Sequence, residues 1–201
     1  MTKIEAARSL FLVARASQSP EESSTAETSP TKISPHAPLV AAARSGDREA
    51  FAQLHSSYAP MVHGILLARA PRSEVSDLVQ DVFLQAFRKL HTLRDANTFG
   101  AWLATIARNR AVDFHRRARA DEKLTEEDAV ARSAEETKAE EILDVIRRLP
   151  EAYRETLVLR LVEGLTGAEI AARTNLTSAS VRVNLHRGMK LLREELKGRK
   201  V

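Results

Sequence analysis

The sequence lacks cysteine and has few residues of the kinds that shape β-rich folds. Its 201 residues include no cysteine, which excludes a disulfide framework and cysteine-ligated zinc. Aromatic residues make up 4% of the chain, and there are only seven glycines and seven prolines, so helices should dominate over a sandwich or a barrel. No apolar run is long enough to span a membrane. We therefore expect a soluble, cytoplasmic protein with one ordinary domain or two small ones.

Groups that carry enzymatic chemistry are also missing. The six histidines are scattered along the chain, and we find no nucleophile elbow, phosphate-binding loop or carboxylate–histidine cluster. His55 and His63 are eight residues apart, which is not a metal-ligand spacing, and the sequence places no carboxylate partner beside them. We interpret both as ordinary helix residues and expect no catalytic residue, no metal and no cofactor.

The first 38 residues are predicted to be a disordered extension. Of the 22 residues from Ser17 to Pro38, six are serine, three are threonine and four are proline. A segment of this composition cannot bury enough apolar surface to offset the entropy of ordering it. We therefore expect residues 1–38 to lie outside the folded part of the chain.

Residues 39–119 are predicted to form a helical domain. Asp47 suits the N-cap of a helix that runs to about Arg69, and Ser73 or Ser76 suits the N-cap of the next. In that next helix, apolar residues recur three and four positions apart and describe one buried face. The buried face consists of Val75, Leu78, Val79, Val82, Phe83, Ala86, Phe87 and Leu90. A loop at His91–Thr98 then precedes a second amphipathic helix.

Two surfaces of different character lie on these last two helices. Asp77, Gln80 and Asp81 are three and four residues apart, so they share the face opposite the apolar stripe. The following helix carries basic residues towards its far end, namely Arg108, Arg110, Arg116, Arg117 and Arg119. The net charge of +4 suits nucleic acid as a partner. An acidic-polar face and a basic face on one small core indicate two different partners.

An acidic connector leads to a helix-turn-helix pattern. Residues 120–139 are the natural linker, because the stretch Asp121–Glu141 carries nine acids and few apolar residues. In residues 140–197, Thr166 and Thr177 suit the N-caps of two helices separated by a tight turn, a pattern typical of helix-turn-helix proteins. In the last helix we expect Val181, Leu185, Met189 and Leu192 to face inward and Arg182, His186 and Arg187 to face outward.

Three motifs, in this order and spacing, carry a family resemblance. They are Asp77-Leu-Val-Gln-Asp-Val-Phe, Phe99-Gly-Ala-Trp-Leu-Ala-Thr-Ile-Ala-Arg-Asn, and Glu169-Ile-Ala followed by Ser180-Val-Arg and Leu185-His-Arg. Together they resemble the extracytoplasmic-function (ECF) sigma factors of bacterial RNA polymerase. The resemblance implies an all-α protein with two small helical domains: residues 39–119 as sigma region 2, and residues 140–197 as sigma region 4 with its helix-turn-helix. It implies no region 3 domain between them.

The resemblance also implies a role for each polar surface. The positions that match the family's core-binding surface, on the β′ clamp helices of the polymerase, are Asp77, Gln80 and Asp81. The positions that match its −10 element contacts are Asn97, Arg108, Asn109, Arg110, Asp113, Arg116 and Arg117. The positions that match its −35 element contacts are Ser178, Arg182, Val183, His186, Arg187 and Lys190. The implied partners are core polymerase (β′ clamp helices and β flap), promoter DNA and an anti-sigma factor.

Some features depart from the family pattern, and one alternative function stays open. Asn175 stands in the turn where glycine is common, but asparagine tolerates a positive φ. Asn184 stands where arginine is frequent, which questions the usual −35 preference, and the N-terminal extension matches nothing in the family. The alternative is a stand-alone helix-turn-helix regulator that binds duplex DNA as a dimer. Such a regulator has no use for the face formed by Asp77, Gln80 and Asp81.

Overall fold

The computed structural model describes residues 34–121 and 134–198, with the side chains of 34–118 and 140–198. Within these ranges all regular structure is helical, which confirms the all-α prediction. The eight α-helices are α1 (Ala37–Arg44), α2 (Arg48–Leu67), α3 (Arg72–Lys89), α4 (Phe99–Asp121), α5 (Ala134–Arg148), α6 (Glu151–Leu161), α7 (Gly167–Thr174) and α8 (Ser178–Gly198). Two short 3-10 turns, Leu90–Thr92 and Ala96–Thr98, connect α3 to α4. Most of the predicted extension lies outside the described residues.

Helices α1 to α4 form the first unit around α2. Asp47 caps α2 as predicted, because its Oδ1 accepts hydrogen bonds from the backbone N–H groups of Glu49 and Ala50 at 2.9 and 3.1 Å. The helix α1 begins at Ala37, inside the segment predicted to be disordered, with a proline in its first turn where the fixed φ favours helix. The fully or almost fully buried side chains of the unit include Leu54, Met61, Ile65, Leu66, Val75, Leu78, Val82, Phe99 and Leu103.

The predicted start of α3 is wrong. The helix begins at Arg72, and neither Ser73 nor Ser76 is its cap. Pro71 occupies the N-cap position with φ −57° and ψ 145° and makes no side-chain hydrogen bond. Its ring fixes φ, so the chain passes directly from an extended residue into the first helical turn. Glu74 in that turn complements the positive end of the helix dipole.

Helices α5 to α8 form the second unit, and the predicted N-caps of α7 and α8 are confirmed. Thr166 and Glu169 form a capping box at the start of α7, and Thr177 Oγ1 accepts a hydrogen bond from Ser180 N at the start of α8. Asn175 adopts φ +63° in the turn between them, the left-handed conformation that the sequence required. The helix α8 lies close to α6 at Gly188, where an added Cβ would be 3.0 Å from Leu157 Cδ1.

The two units pack directly against each other, a contact that no pattern in the sequence predicts. Helix α6 lies on α2, and α7 lies on α4. Two glycines of the first unit permit this approach. A Cβ on Gly64 would be 2.8 Å from side-chain atoms of Leu159 and Glu163, and a Cβ on Gly100 would be 3.1 Å from the carbonyl oxygen of Arg173.

Polar contacts between the units correct the interpretation of His63. His63 Nδ1 lies 2.6 Å from Glu163 Oε1, so this histidine does have a carboxylate partner, one hundred residues further along the chain. Arg147 of α5 donates hydrogen bonds to the carbonyl oxygens of Leu67 and Ala70 at 3.2 and 2.7 Å. Leu67 is the last residue of α2 and Ala70 lies three residues beyond it, so Arg147 is close to the C-terminus of the helix, where a cation is favoured by the helix dipole.

Candidate nucleic-acid interface

The polar face of α3 is accessible, but one of its residues also forms an ion pair with α4. Asp77 and Gln80 are exposed. Asp81 is 46% exposed and forms an ion pair with Arg110, whose side chain is only 19% exposed. Asp81, a predicted polymerase contact, and Arg110, a predicted −10 contact, are therefore partners in one ion pair that connects α3 to α4.

The same face of α3 continues into two exposed apolar residues. Leu84 and Phe87 are each 48% exposed, so the prediction that Phe87 belongs to the buried face is wrong. The ring of Phe87 packs edge-on against Phe51 of α2, with 5.0 Å between centroids. Leu84 lies seven residues after Asp77 and three after Asp81, so it shares their side of the helix. An apolar residue at that spacing on a polar face is the sequence signal that indicates an exposed apolar contact.

The loop before α4 holds Asn97 through its side chain. Asn97 Oδ1 accepts a hydrogen bond from the backbone N–H of Ser34 at 2.8 Å, and its Nδ2 donates one to Asp95 Oδ1 at 2.9 Å. Asn97 also lines a shallow cleft of about 240 Å³ whose opposite wall includes Leu176 and Thr177 in the turn before α8. The candidate base-binding loop therefore faces the helix-turn-helix.

The basic residues of α4 differ in accessibility. Asn109, Arg116 and Arg117 are exposed, and Arg116 pairs with Asp113 at 3.0 Å. An exposed pair of this kind contributes little to stability and gives way easily to another anion. Val112, 64% exposed, lies among them. Arg108 is different, because its guanidinium points into the contact between the two units.

Arg108 and Arg69 share one buried carboxylate. Glu155 of α6 is 5% exposed. Arg108 donates to its Oε1 through Nη2 at 2.7 Å and to its Oε2 through Nε at 3.1 Å, and Arg69 Nη2 lies 2.8 Å from Oε2. Burial raises the pKa of Glu155, but the hydrogen bond from Arg108 and the charges of Arg69 and Arg108 outweigh burial and hold the pKa below its usual value.

The candidate −35 positions form one exposed row on α8. Val181 and Leu192 are buried and Leu185 and Met189 partly buried, which confirms the predicted inward face. The exposed row consists of Ser178, Arg182, Val183, His186, Arg187 and Lys190. Positions three and four apart lie on the same side of a helix, so the row presents cations and small groups along the N-terminal half of α8.

Both helical units of the chain match known protein families. The family described as Sigma-70 region 2 matches residues 54–120, and Sigma-70, region 4 matches residues 139–192. The chain is 33% identical over 162 residues to the RNA polymerase sigma factor CarQ of Myxococcus xanthus, across 76% of this chain and 92% of CarQ. It is 30% identical over 166 residues to the ECF RNA polymerase sigma factor BldN of Streptomyces coelicolor, across 77% of this chain but 63% of BldN.

A solved structure shares the fold. CnrH, determined in complex with the cytosolic domain of CnrY, superposes with a TM-score of 0.60 and 25% identity, covering 82% of this chain and 99% of CnrH. Two helical units that match sigma-70 regions 2 and 4 in this order define a sigma factor. The chain belongs to the family of ECF RNA polymerase sigma factors.

Over residues 34–121 and 134–198, no group of three or more histidine and acidic side chains is arranged to hold a metal ion. In the same part of the chain, no helix combines the length and apolar character needed to cross a membrane.

Proposed function

We propose that this chain binds core RNA polymerase and directs it to promoters by reading a −35 element with α8 and a −10 element with α4 and its preceding loop. The observation that carries this proposal is the exposed row on α8. Its cations and hydroxyl lie at the N-terminal half of the second helix of a helix-turn-helix, the part that such a motif presents to base edges in the major groove. The exposed Arg117 of α4 supplies a second cationic surface on the other unit.

Contacts to phosphates would supply binding affinity, and contacts to bases would supply sequence specificity. Arginines at the end of α4 suit phosphate oxygens, which supply affinity without sequence preference. Arg182 suits guanine, because a guanidinium fork can donate to both acceptors on the guanine edge. Binding of unpaired bases near Asn97 would favour the melted strand over the duplex, since only the open strand offers those bases.

The polymerase contact is assigned to α3. Asp77 and Gln80 are exposed polar groups, and Leu84 and Phe87 add exposed apolar area on the same helix. A polar face with an apolar extension is the usual composition of a protein interface, and it is not suited to DNA, which repels carboxylates. This surface supports the proposed polymerase contact over a stand-alone helix-turn-helix regulator, which has no use for it.

We further propose that a protein partner of the anti-sigma kind controls the chain. Family membership supports this assignment. CnrH, which shares the fold, was solved with a cytosolic domain of another protein on it. Such a partner would act by covering the surfaces that polymerase or DNA must reach.

The test is charge reversal at Asp77. Asp77→Arg should abolish capture of the chain by core polymerase and abolish promoter-directed transcription, while the melting temperature stays within about a degree, because the side chain is exposed. Glu141→Arg is the matched control, since it reverses an exposed acid on α5. Undiminished capture of a folded Asp77→Arg chain would contradict the assignment of α3. Asp81→Arg is a poorer test because it also breaks the pair with Arg110.

A further inference from the structure

The loop before α4 is held at two points by a part of the chain that lies outside the matched family region. This part, residues 34–44, consists of α1 and the three residues before it, whereas the match to Sigma-70 region 2 begins at residue 54. At one point, the backbone N–H of Ser34 donates to Asn97 Oδ1 at 2.8 Å. At the other, Arg44 Nη1 donates to the carbonyl oxygen of Leu93 at 3.0 Å. Residues 34–44 therefore bridge the loop that contains Asn97.

Residues 34–44 are themselves anchored on the core of the first unit. His36 Nδ1 lies 3.3 Å from the hydroxyl of Tyr58, and the two rings meet edge to face with 5.1 Å between centroids. Tyr58 is 3% exposed and packs edge-on against Phe99, the first residue of α4. Val40 of α1 is fully buried. These contacts give the N–H of Ser34 a fixed position beside the loop.

Two hydrogen bonds determine how the amide of Asn97 is oriented. The N–H of Ser34 can only donate, so it requires the amide oxygen on its side. The carboxylate of Asp95 accepts from Asn97 Nδ2 at 2.9 Å, so it requires the amide nitrogen on the other side. An amide has two acceptor positions and two N–H donors, which leaves one of each for a ligand. An acceptor and a donor are the two groups with which asparagine contacts the edge of adenine.

Orientation in advance lowers the cost of binding a base. A loop side chain that is free to rotate loses that freedom when it engages a ligand, and a side chain that is already held does not. Asn97 is only partly buried, so a base can still reach it. The bridge formed by residues 34–44 therefore favours binding without covering the group that binds.

We propose that residues 34–44 are a positioning segment for −10 recognition. The N–H of Ser34 orients the amide of Asn97, and Arg44 holds the loop backbone at Leu93, so that an unpaired base meets an amide already in place. The proposal rests on the proposed −10 role of Asn97. It extends base recognition to residues that precede the part of the chain matched to region 2.

The experiment compares templates with and without the base that Asn97 contacts. Reconstituted polymerase transcribes a template melted at −10, in which each unpaired nontemplate nucleotide is replaced in turn by an abasic one. The contacted base is the one whose removal impairs the parent chain but not Asn97→Ala. Ser34→Pro removes the backbone N–H, and Ser34→Ala is its matched control because it keeps that N–H. Arg44→Ala removes the second contact, with Arg48→Ala, at an exposed arginine that begins α2, as its control.

We expect Ser34→Pro and Arg44→Ala to reduce transcription about twofold to tenfold on the template that carries the contacted base. On the matching abasic template they should transcribe as well as the parent chain, because there is no base for Asn97 to meet. Ser34→Ala and Arg48→Ala should keep the parent's ratio between the two templates. Circular dichroism of each variant checks that its helices remain folded.

Equal losses on the two templates would overturn the proposal, because a lost phosphate contact or a destabilised fold affects both alike. An unchanged ratio in Ser34→Pro and Arg44→Ala would overturn it as well. Asn97→Ala separates these failures from a failure of the proposed function. If Asn97→Ala loses sensitivity to the abasic site while Ser34→Pro and Arg44→Ala keep it, Asn97 reads a base and only the role of residues 34–44 is wrong.

Discussion

Arginines of α4 with the same formal charge have different surroundings, and these decide what each can bind. Arg108 is engaged by a buried carboxylate, Arg110 by Asp81 on α3, and Arg116 by an exposed acid one turn away. Arg117 is exposed. A charge that is already satisfied must give up one partner to gain another, so Arg117 is the residue of this group best placed to meet DNA first.

The contact between the two units should depend on pH through Glu155. Its pKa lies below the usual 4.5, so its contribution to this contact is complete above pH 4.5 and is lost as the pH falls below that value through the lowered pKa. Arg69 and Arg108 face the carboxylate, with Glu151 beside Arg69 and His63 paired to Glu163 nearby. The chain has no cysteine, so Gln53→Cys and Glu195→Cys, at exposed positions on α2 and α8, can carry a donor–acceptor dye pair. The distance between the two dyes, measured from neutral pH downward, should stay short and then lengthen below pH 4.5.

Two variants identify the titrating group in that experiment. Glu151→Gln should keep the acid transition, because Glu151 is exposed and touches only the outer side of Arg69. Glu155→Gln should show no acid transition, since it lacks the carboxyl group that titrates. An unchanged transition in Glu155→Gln would assign the pH dependence to another carboxyl group.

At the scale of the helix, the turn between α7 and α8 depends on one residue. Asn175 adopts φ +63°, a conformation that costs most residues with a Cβ about 1 kcal/mol but costs asparagine less and glycine nothing sterically. Asn175→Ala should therefore lower the free energy of unfolding by about 1 kcal/mol, and Asn175→Gly should leave it nearly unchanged. Denaturant unfolding measures both variants, and an equal loss in the two would mean that the Asn175 side chain, rather than its backbone, holds the turn.

Helices and their ends could largely be predicted from sequence because their signals are local. The apolar periodicity of α8, the caps at Asp47, Thr166 and Thr177, and the positive φ of Asn175 each involve residues within a few positions of one another. The predicted start of α3 is wrong because the prediction rests on the hydroxyls of Ser73 and Ser76, whereas Pro71 ends the extended segment through its fixed φ and needs no side-chain hydrogen bond.

The contact between the units had no such local signal. Gly64 meets Leu159, and Arg108 meets Glu155 from 47 residues away. In the sequence, Glu155 looks like an ordinary polar residue of an amphipathic helix, and Arg108 looks like one more cation of a basic end. Only the packing of α6 on α2 shows that the first is buried and that the second is its partner. The sequence therefore predicts which residues belong to the candidate site. It does not predict which of them are already engaged in ion pairs, as Arg108 and Arg110 are.

At the scale of the whole molecule, substitutions in the two cationic surfaces, which lie on separate units, should affect DNA binding differently. Arg182 belongs to the exposed row of α8, and Arg117 to the exposed end of α4. Loss of a bidentate contact to guanine costs about 1–3 kcal/mol and affects one base pair. Loss of a phosphate contact weakens every sequence alike and lowers the salt slope of binding by about one.

We therefore expect Arg182→Ala to reduce transcription from a duplex promoter that needs its −35 element by roughly fivefold to 150-fold, which corresponds to that energy range. The same variant should spare a template already melted at −10. Arg117→Ala should weaken both templates and flatten the salt dependence, because a phosphate is present in either. Transcription by the reconstituted polymerase on the two templates, across a salt series, measures both effects, with Lys197→Ala on the exposed last turn of α8 as the control. Equal losses on the two templates for Arg182→Ala would remove α8 from sequence recognition, since a helix that reads only the −35 duplex has no part in holding a strand that is already open.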